Sequence, residues 1–314
     1  MYNLNSLILQ VVKFLMQSLT KTNYHNQNNL PMTIITQLKT NLFSLILTLI
    51  ILFVSADVFA QSRLYNAVID DNQSRAKRFM TRGDNPNGDG NPQHIPLIGA
   101  AEVNHYRMVV LLVQNNANVN IQNHIGFTPL MEATIQRNNR IMNYLVNNGA
   151  QLEMRANNGA TALMVAVNAG NIRGARLLLE YGANTNTADL NGLTPLMRAM
   201  ENGNNVEMVK LLVTNDADMN AKNPEGTPVI MIHPYRNRIP VHRELINHGA
   251  DIEITDKAGR TPIIKAVMEG NLEMIKLLLE KGADRFAKDN NGLSATDYGL
   301  AQMKIRQYFE TLEQ

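Results

Sequence analysis

The chain has 314 residues, 45% of them apolar and 18% charged, and it contains no cysteine, which excludes disulfides, thiolate metal sites and cysteine nucleophiles. Residues 1–60 hold Lys13, Lys21 and Lys39 against Asp57, leaving 26 positive and 26 negative side chains beyond residue 60. A folded part with balanced charge lacks the overall basic excess by which a nucleic-acid binder neutralises phosphates.

In chain order, residues 1–31 come first, rich in Asn between Asn23 and Asn29. Met32 is the expected start, which makes 1–31 an upstream extension outside the translated protein; the alternative is a membrane-associated helix over 4–19. From Leu42 to Val54 the chain runs LFSLILTLIILFV, 13 residues without a charge, after Lys39 and before SADVFA-Q. A basic flank, a short apolar run and a small-residue exit make residues 32–60 a signal peptide. Cleavage is expected after Ala60, leaving Gln61 first, with a cut after Ala56 as the alternative. A membrane helix needs about 20 apolar residues, and Asp57 interrupts this stretch after 15; an uncut membrane anchor is the second reading.

Beyond residue 61 the chain repeats itself, and a fixed period outranks local structure as a signal. IPL at 95–97, TPL at 128–130, TAL at 161–163, TPL at 194–196, TPV at 227–229, TPI at 261–263 and SAT at 294–296 recur every 33 or 34 residues. Gly83, Asn116, Gly149, Gly182, Asp216, Gly249 and Gly282 form a second ladder at the same spacing. Length alone suggests roughly two domains; the period overrules that. Each unit reads as a helix pair. Thr caps a first helix that opens on Pro, whose missing N–H is harmless there. Ala67, Ala100, Ala133, Ala166, Ala199 and Ala266 permit close approach between units. Runs such as MVVLLV at 108–113 and MIKLLL at 274–279 supply a second, core-forming helix, and Gly or Asn ends it in the left-handed conformation.

These residues resemble ankyrin repeats, whose pattern is G-x-T-P-L-x-x-A followed by a helix ending in L-L-x-x-G-A-D. GLTPLMRAM with MVKLLVTNDAD, and GRTPIIKAV with MIKLLLEKGAD, carry the match. The resemblance implies an all-α solenoid of about seven to eight helix-turn-helix units joined by hairpin-like turns, spanning 61–314. It divides into an N-terminal capping repeat at 62–86, six full repeats over 87–286 and a C-terminal cap at 287–314. It also implies protein binding through the concave face, with no enzyme activity, cofactor or nucleic-acid partner, and a monomer. Membrane association is expected only if the signal stays uncut. Export places the solenoid in the periplasm or outside the cell. A secreted effector that binds a host protein and a membrane-anchored adaptor are the alternatives.

Several motifs read as structure. Asn85 to Gly90 resembles the start of a calcium loop, but Pro96 stands where the bidentate Glu belongs. The histidines show no metal-ligand spacing. Arg176, Lys210, Arg243 and Lys276 align on four second helices as a solvated charged row. The fifth full repeat, 221–253, departs from the pattern. One residue is missing between Gly226 and Thr227, Pro234 falls inside the first helix, where it should stop or kink it, and Pro240 opens the second. His242 and Glu244 replace residues that are apolar in most siblings, such as Val109 and Ile275 for the first and Leu111 and Leu277 for the second. That helix is therefore either rotated and solvated or supplied with partners for both groups. Arg236, Arg238, His242, Arg243 and Glu244 are candidates for a recognition patch or hinge. The family's variable turn and first-helix positions fall here on His124, Ile125, Phe127, Arg155, Leu190, Leu193, Glu201, Lys222, Tyr235, Lys257, Arg260, Met268 and Glu269. Phe127, Leu190, Leu193 and Tyr235 are expected to be exposed, and so to be anchors of a partner interface.

Overall fold

The computed structural model describes residues 63–203, 205–232 and 238–312, all within the compact unit Ser62–Gln314. Among them the regular structure is helical, with two isolated bridges, Lys222 to Pro228 and Lys288 to Ser294. The helices come in pairs. α1 (63–69) pairs with α2 (Gln73–Thr81), and α3 (Pro96–Glu102) with α4 (Tyr106–Gln114). The next pairs are α5 (Pro129–Ile135) with α6 (Asn139–Asn147), α7 (Ala162–Asn168) with α8 (Ile172–Glu180), and α9 (Pro195–Asn202) with α10 (Val206–Val213). In the sixth unit a 3-10 turn, Val229–Met231, precedes α11 (Ile239–Asn247). The seventh and eighth hold α12 (Pro262–Met268) with α13 (Leu272–Glu280), and α14 (Ala295–Gly299) with α15 (Met303–Thr311).

Local chemistry sets these boundaries. The hydroxyls of Thr128, Thr161 and Thr194 accept the N–H three residues on, and Ser294 forms a capping box with Asp297, so the orphan donors of each first turn are satisfied. Thr261 departs from the expected cap: its buried hydroxyl has no hydrogen-bond partner. Second helices are capped by Asn72, Asn138, Asn171, Asn205 and Asn271. They end on left-handed residues, Gly at 83, 149, 182, 249 and 282 and Asn116 or Asp216 elsewhere. An added Cβ at Gly149 or Gly182 would touch nothing, so glycine serves the backbone angle there and not the packing.

From α3 onward each first helix packs on the second helix of its own unit and, away from the sixth unit, successive first helices sit closer together than successive second helices. The small residues at that seam are why: Ala67, Ala100, Ala133, Ala166 and Ala266 are fully buried. The closer row lies on the concave side, and one apolar core runs through all units. The last unit ends it. Where inner units bury Met131, Met164, Met197 and Ile264, it carries exposed Asp297, and where they bury Val109, Met142, Val209 and Ile275, it carries exposed Arg306. Those polar substitutions give a terminal solenoid unit its solvent face.

Among the described residues the sixth unit has a 3-10 turn and an extended Ile232 where its siblings have a first helix, just ahead of Pro234; Pro234 itself, with Tyr235 and Arg236, lies outside the described residues. Stacking shifts accordingly: α10 and α11 meet more extensively than any other successive second helices. Helix α11 does not rotate outward. His242 is completely buried, its Nδ1 lying 2.8 Å from the carbonyl of Arg238. That carbonyl can only accept, so Nδ1 carries the proton; the unprotonated Nε2 makes no hydrogen bond, because the Ile232 and Ile230 carbonyls near the ring are acceptors that favour only its protonated form. Burial pushes the imidazole pKa below its ordinary value, against the opposing pull of the Arg238, Ile232 and Ile230 carbonyls. Glu244 is half-buried and lies 3.5 Å from His248.

Candidate interaction surface

The turns between units form a row of rungs. Asn157 donates its backbone N–H to the Ile125 carbonyl, Leu190 to Asn158 and Asn290 to Ala258; at the equivalent Pro224 there is no N–H to donate. Glycine in each turn lets the next one close in: a Cβ at Gly159, where φ is +81°, would stand 2.6 Å from the Leu190 nitrogen. Along this row His124, Ile125, Arg155, Leu190, Lys222 and Lys257 are exposed, as are Met268 and Glu269 on the neighbouring helix end.

Two expected anchors are corrected. Leu193 is only 8% exposed and belongs to the core. Its N–H donates to the Asp189 carboxylate and its carbonyl accepts from the Asp189 N–H, a closed turn that draws the side chain inward. Its counterpart Leu293, in the last unit, is 40% exposed, so the cover comes from the following unit. Phe127 is half-buried and packs on the same core. Of the expected contact positions, Leu190, at 72% exposure, and Ile125, at 43%, are the apolar side chains that do project from the turns.

The charged positions are engaged within the solenoid. Arg155 donates to the Ala188 carbonyl, Lys222 Nζ to Thr255 at 2.6 Å and Lys257 Nζ to Pro224 at 2.8 Å. Glu201 accepts from Arg198 at 3.0 Å, with Asp189 on the other side of the guanidinium, and Glu269 pairs with Lys265 at 3.1 Å. Arg260 pairs with Asp256 at 2.7 Å. Burial pushes the Asp256 carboxyl up, but the Arg260 side chain and the N–H groups of Arg260 and Ala258 outweigh it and hold it below the usual range. On the first helices, burial raises the Glu132 carboxyl, opposed by Gln136 and reinforced by Glu102. Among the described residues no group of three acidic or histidine side chains converges as a metal site.

Of the divergent-unit positions, Arg243 is exposed, 3.7 Å from Glu280. Arg238 occupies the register of the capping asparagines. It loses the cap but reaches back to the carbonyls of Met200 and Glu201. That reach belongs to a ladder the sequence reading missed. His105 Nδ1 meets the Val68 carbonyl at 3.1 Å, Asn171 Nδ2 donates to Thr134 at 2.9 Å and Gln302 Nε2 to Val267 at 2.6 Å. A second missed ladder joins side-chain acceptors Asn87, Asn120, Glu153, Asn186, Asn220 and Glu253 to backbone N–H groups 31 or 32 residues on. The recurrence of Asn or Glu at one period was the available signal. Tyr235, Arg236, Ala60 and Gln61 lie outside the described residues.

Family models for ankyrin repeats match residues 64–156, 151–223 and 230–279. The chain belongs to the ankyrin-repeat family. The ankyrin repeat domain of Bcl-3, described as a unique member of the IkappaB protein family, is similar at 30% identity and a TM-score of 0.64, over 69% of this chain and 97% of that one. No curated protein matches in the corresponding sequence comparison. The unit that breaks the ankyrin pattern, 221–253, straddles the gap between the matched segments that end at 223 and resume at 230.

Proposed function

We propose that this ankyrin solenoid is a non-enzymatic scaffold that binds a partner protein through its turns and first-helix ends. The observation that carries the reading is Leu190, exposed on a turn whose charged neighbours are already bonded within the solenoid. With Ile125 two units away it offers apolar anchors on a polar face, the composition of a modest, non-obligate interface. The test is a photo-crosslinking residue at position 190 or, on the opposite face, at 210, in the native host. A discrete adduct at 190 that disappears in an Ile125→Asp/Leu190→Asp variant of unchanged helicity is expected. Adducts confined to 210 would refute it.

Export is part of the proposal and rests on the sequence of residues 39–61 alone. A mature protein beginning at Gln61 in a soluble envelope or extracellular fraction is expected; retention of 42–60 in a membrane fraction would make the protein an anchored adaptor.

A further inference from the structure

The outer face carries a charge pattern that the turn-side reading does not use. Helices α2, α4, α6 and α8 present exposed Arg75, Lys77, Arg78, Arg107, Arg140, Arg173 and Arg176, and the four helices contain a single acid, Glu180, at the end of α8. Among the described residues only Arg176 of these seven cations has a carboxylate within reach, Glu207 at 3.8 Å. Beyond α8 the pattern changes: Arg243 faces Glu280 and Arg306 faces Glu310.

Stability does not account for the stripe. Arg107, Arg140 and Arg173 are each the second residue of their helix, where the positive end of the helix dipole disfavours a cation and favours an acid. In α10 and α13 the same position holds Glu207 and Glu273, the favoured choice. Three successive units therefore keep the locally unfavourable sign on an exposed face. Arg140 is also held in place, its guanidinium 3.8 Å from the centre of the Tyr106 ring, a cation–π contact that fixes its direction.

The spacing selects the ligand. Packed helices lie about 8–10 Å apart, and these second helices form the wider-spaced row of the solenoid, so the three equivalent arginines recur in single file roughly every 10 Å. A polyproline-II chain advances about 3.1 Å per residue with three residues per turn, which returns a side chain to the same face about every 9 Å. We infer that the outer face of α2 to α8 binds an extended acidic protein segment that carries a carboxylate or phosphorylated side chain at every third residue. The file of Arg107, Arg140 and Arg173 is one cation wide, which suits one extended chain; a duplex presents two phosphate rows, and a flat membrane meets a convex face along only part of its length.

The test uses the full chain and a fluorescent peptide of about four polyproline-II turns, with Asp at every third position and Pro between. An isomer of the same composition, with its Asp residues contiguous, is the control. Anisotropy at low salt should show the periodic peptide binding several-fold tighter than its isomer, with both weakened at high salt. An Arg107→Glu/Arg140→Glu/Arg173→Glu variant should lose about tenfold or more of the affinity for the periodic peptide while its melting temperature holds or rises, since the substitution suits the helix dipole. Equal binding of the two isomers, or unchanged binding by the variant, would overturn the inference. So would a fall in the variant's melting temperature, which would make the arginines structural, or binding of duplex DNA or phosphatidylserine vesicles through these arginines with the periodic peptide inert. The surface is separate from the turn row, so an Ile125→Asp/Leu190→Asp variant should bind the peptide normally, and the two readings can fail independently.

Discussion

Replacing His242 with valine, the residue that sibling units carry at 109 and 209, should stabilise the solenoid and flatten its response to acid. The imidazole is fully buried, its Nδ1 bonded to the Arg238 carbonyl and its Nε2 unpartnered. Removing an unsatisfied buried group recovers about 1–3 kcal/mol, and losing the Nδ1 bond gives back about 0.5–1.5 kcal/mol. A net gain of about 1 kcal/mol is expected at pH 8, where the imidazole is neutral whether folded or not. Burial depresses the folded pKa below the ordinary 6.5. The unfolded chain therefore takes up the proton first as pH falls, and the native protein loses about 1.4 kcal/mol per pH unit from that value down to the depressed one. Above 6.5 this group adds no pH dependence. Urea titrations followed by circular dichroism, run on both proteins at pH 8 and at pH 5.5, isolate the effect, because the remaining histidines cancel in the difference. Parallel pH responses, or a valine variant less stable at pH 8, would refute the assignment of an unsatisfied neutral imidazole.

Further tests separate structural from exposed positions. Asn171→Ala removes both the cap of α8 and the bond to Thr134, about 2 kcal/mol, whereas Asn72→Ala removes a cap alone and should lose about half that; equal losses in urea melts would remove the reach-back bond from the account. Leu193→Ala should destabilise by about 2–5 kcal/mol and Leu190→Ala by under about 0.5 kcal/mol, a contrast read by thermal melts that would vanish if Leu193 were a surface anchor. Gly182→Ala should lose about 1 kcal/mol from its left-handed backbone, and Gly159→Ala distinctly more because its Cβ meets the Leu190 backbone; a reversed order in denaturant midpoints would contradict the close turn packing.

The helix pairs were legible because their determinants are local and periodic: Thr128, Thr161 and Thr194 cap where the spacing places them, and Gly149 and Gly182 end helices as expected. The departure of the sixth unit's first helix at Val229–Ile232 was legible too, since a following proline's effect on a helix needs no knowledge of neighbours. Exposure was harder. Leu193 and Leu293 occupy one register position, yet one is buried and the other is not, because cover comes from a unit 33 residues away. Arg155, Lys222 and Lys257 looked like free recognition groups for the same reason: the carbonyls that they bond belong to adjacent turns. Sequence spacing places a residue on a face, but only stacking decides what it meets there.

The side-chain rungs bear on how such a chain changes over generations. Each pairs an Asn or Glu acceptor with a main-chain N–H one unit on, so the donor is indifferent to which residue supplies it. Excising or duplicating one period between equivalent turns rejoins an acceptor to a donor of the same kind, and copy number among the ordinary units can drift without leaving a rung open. The unit with the 3-10 turn has no such freedom. Arg238 reaches the fifth unit's first helix and α11 leans on α10, so its place behind that unit is inherited with it.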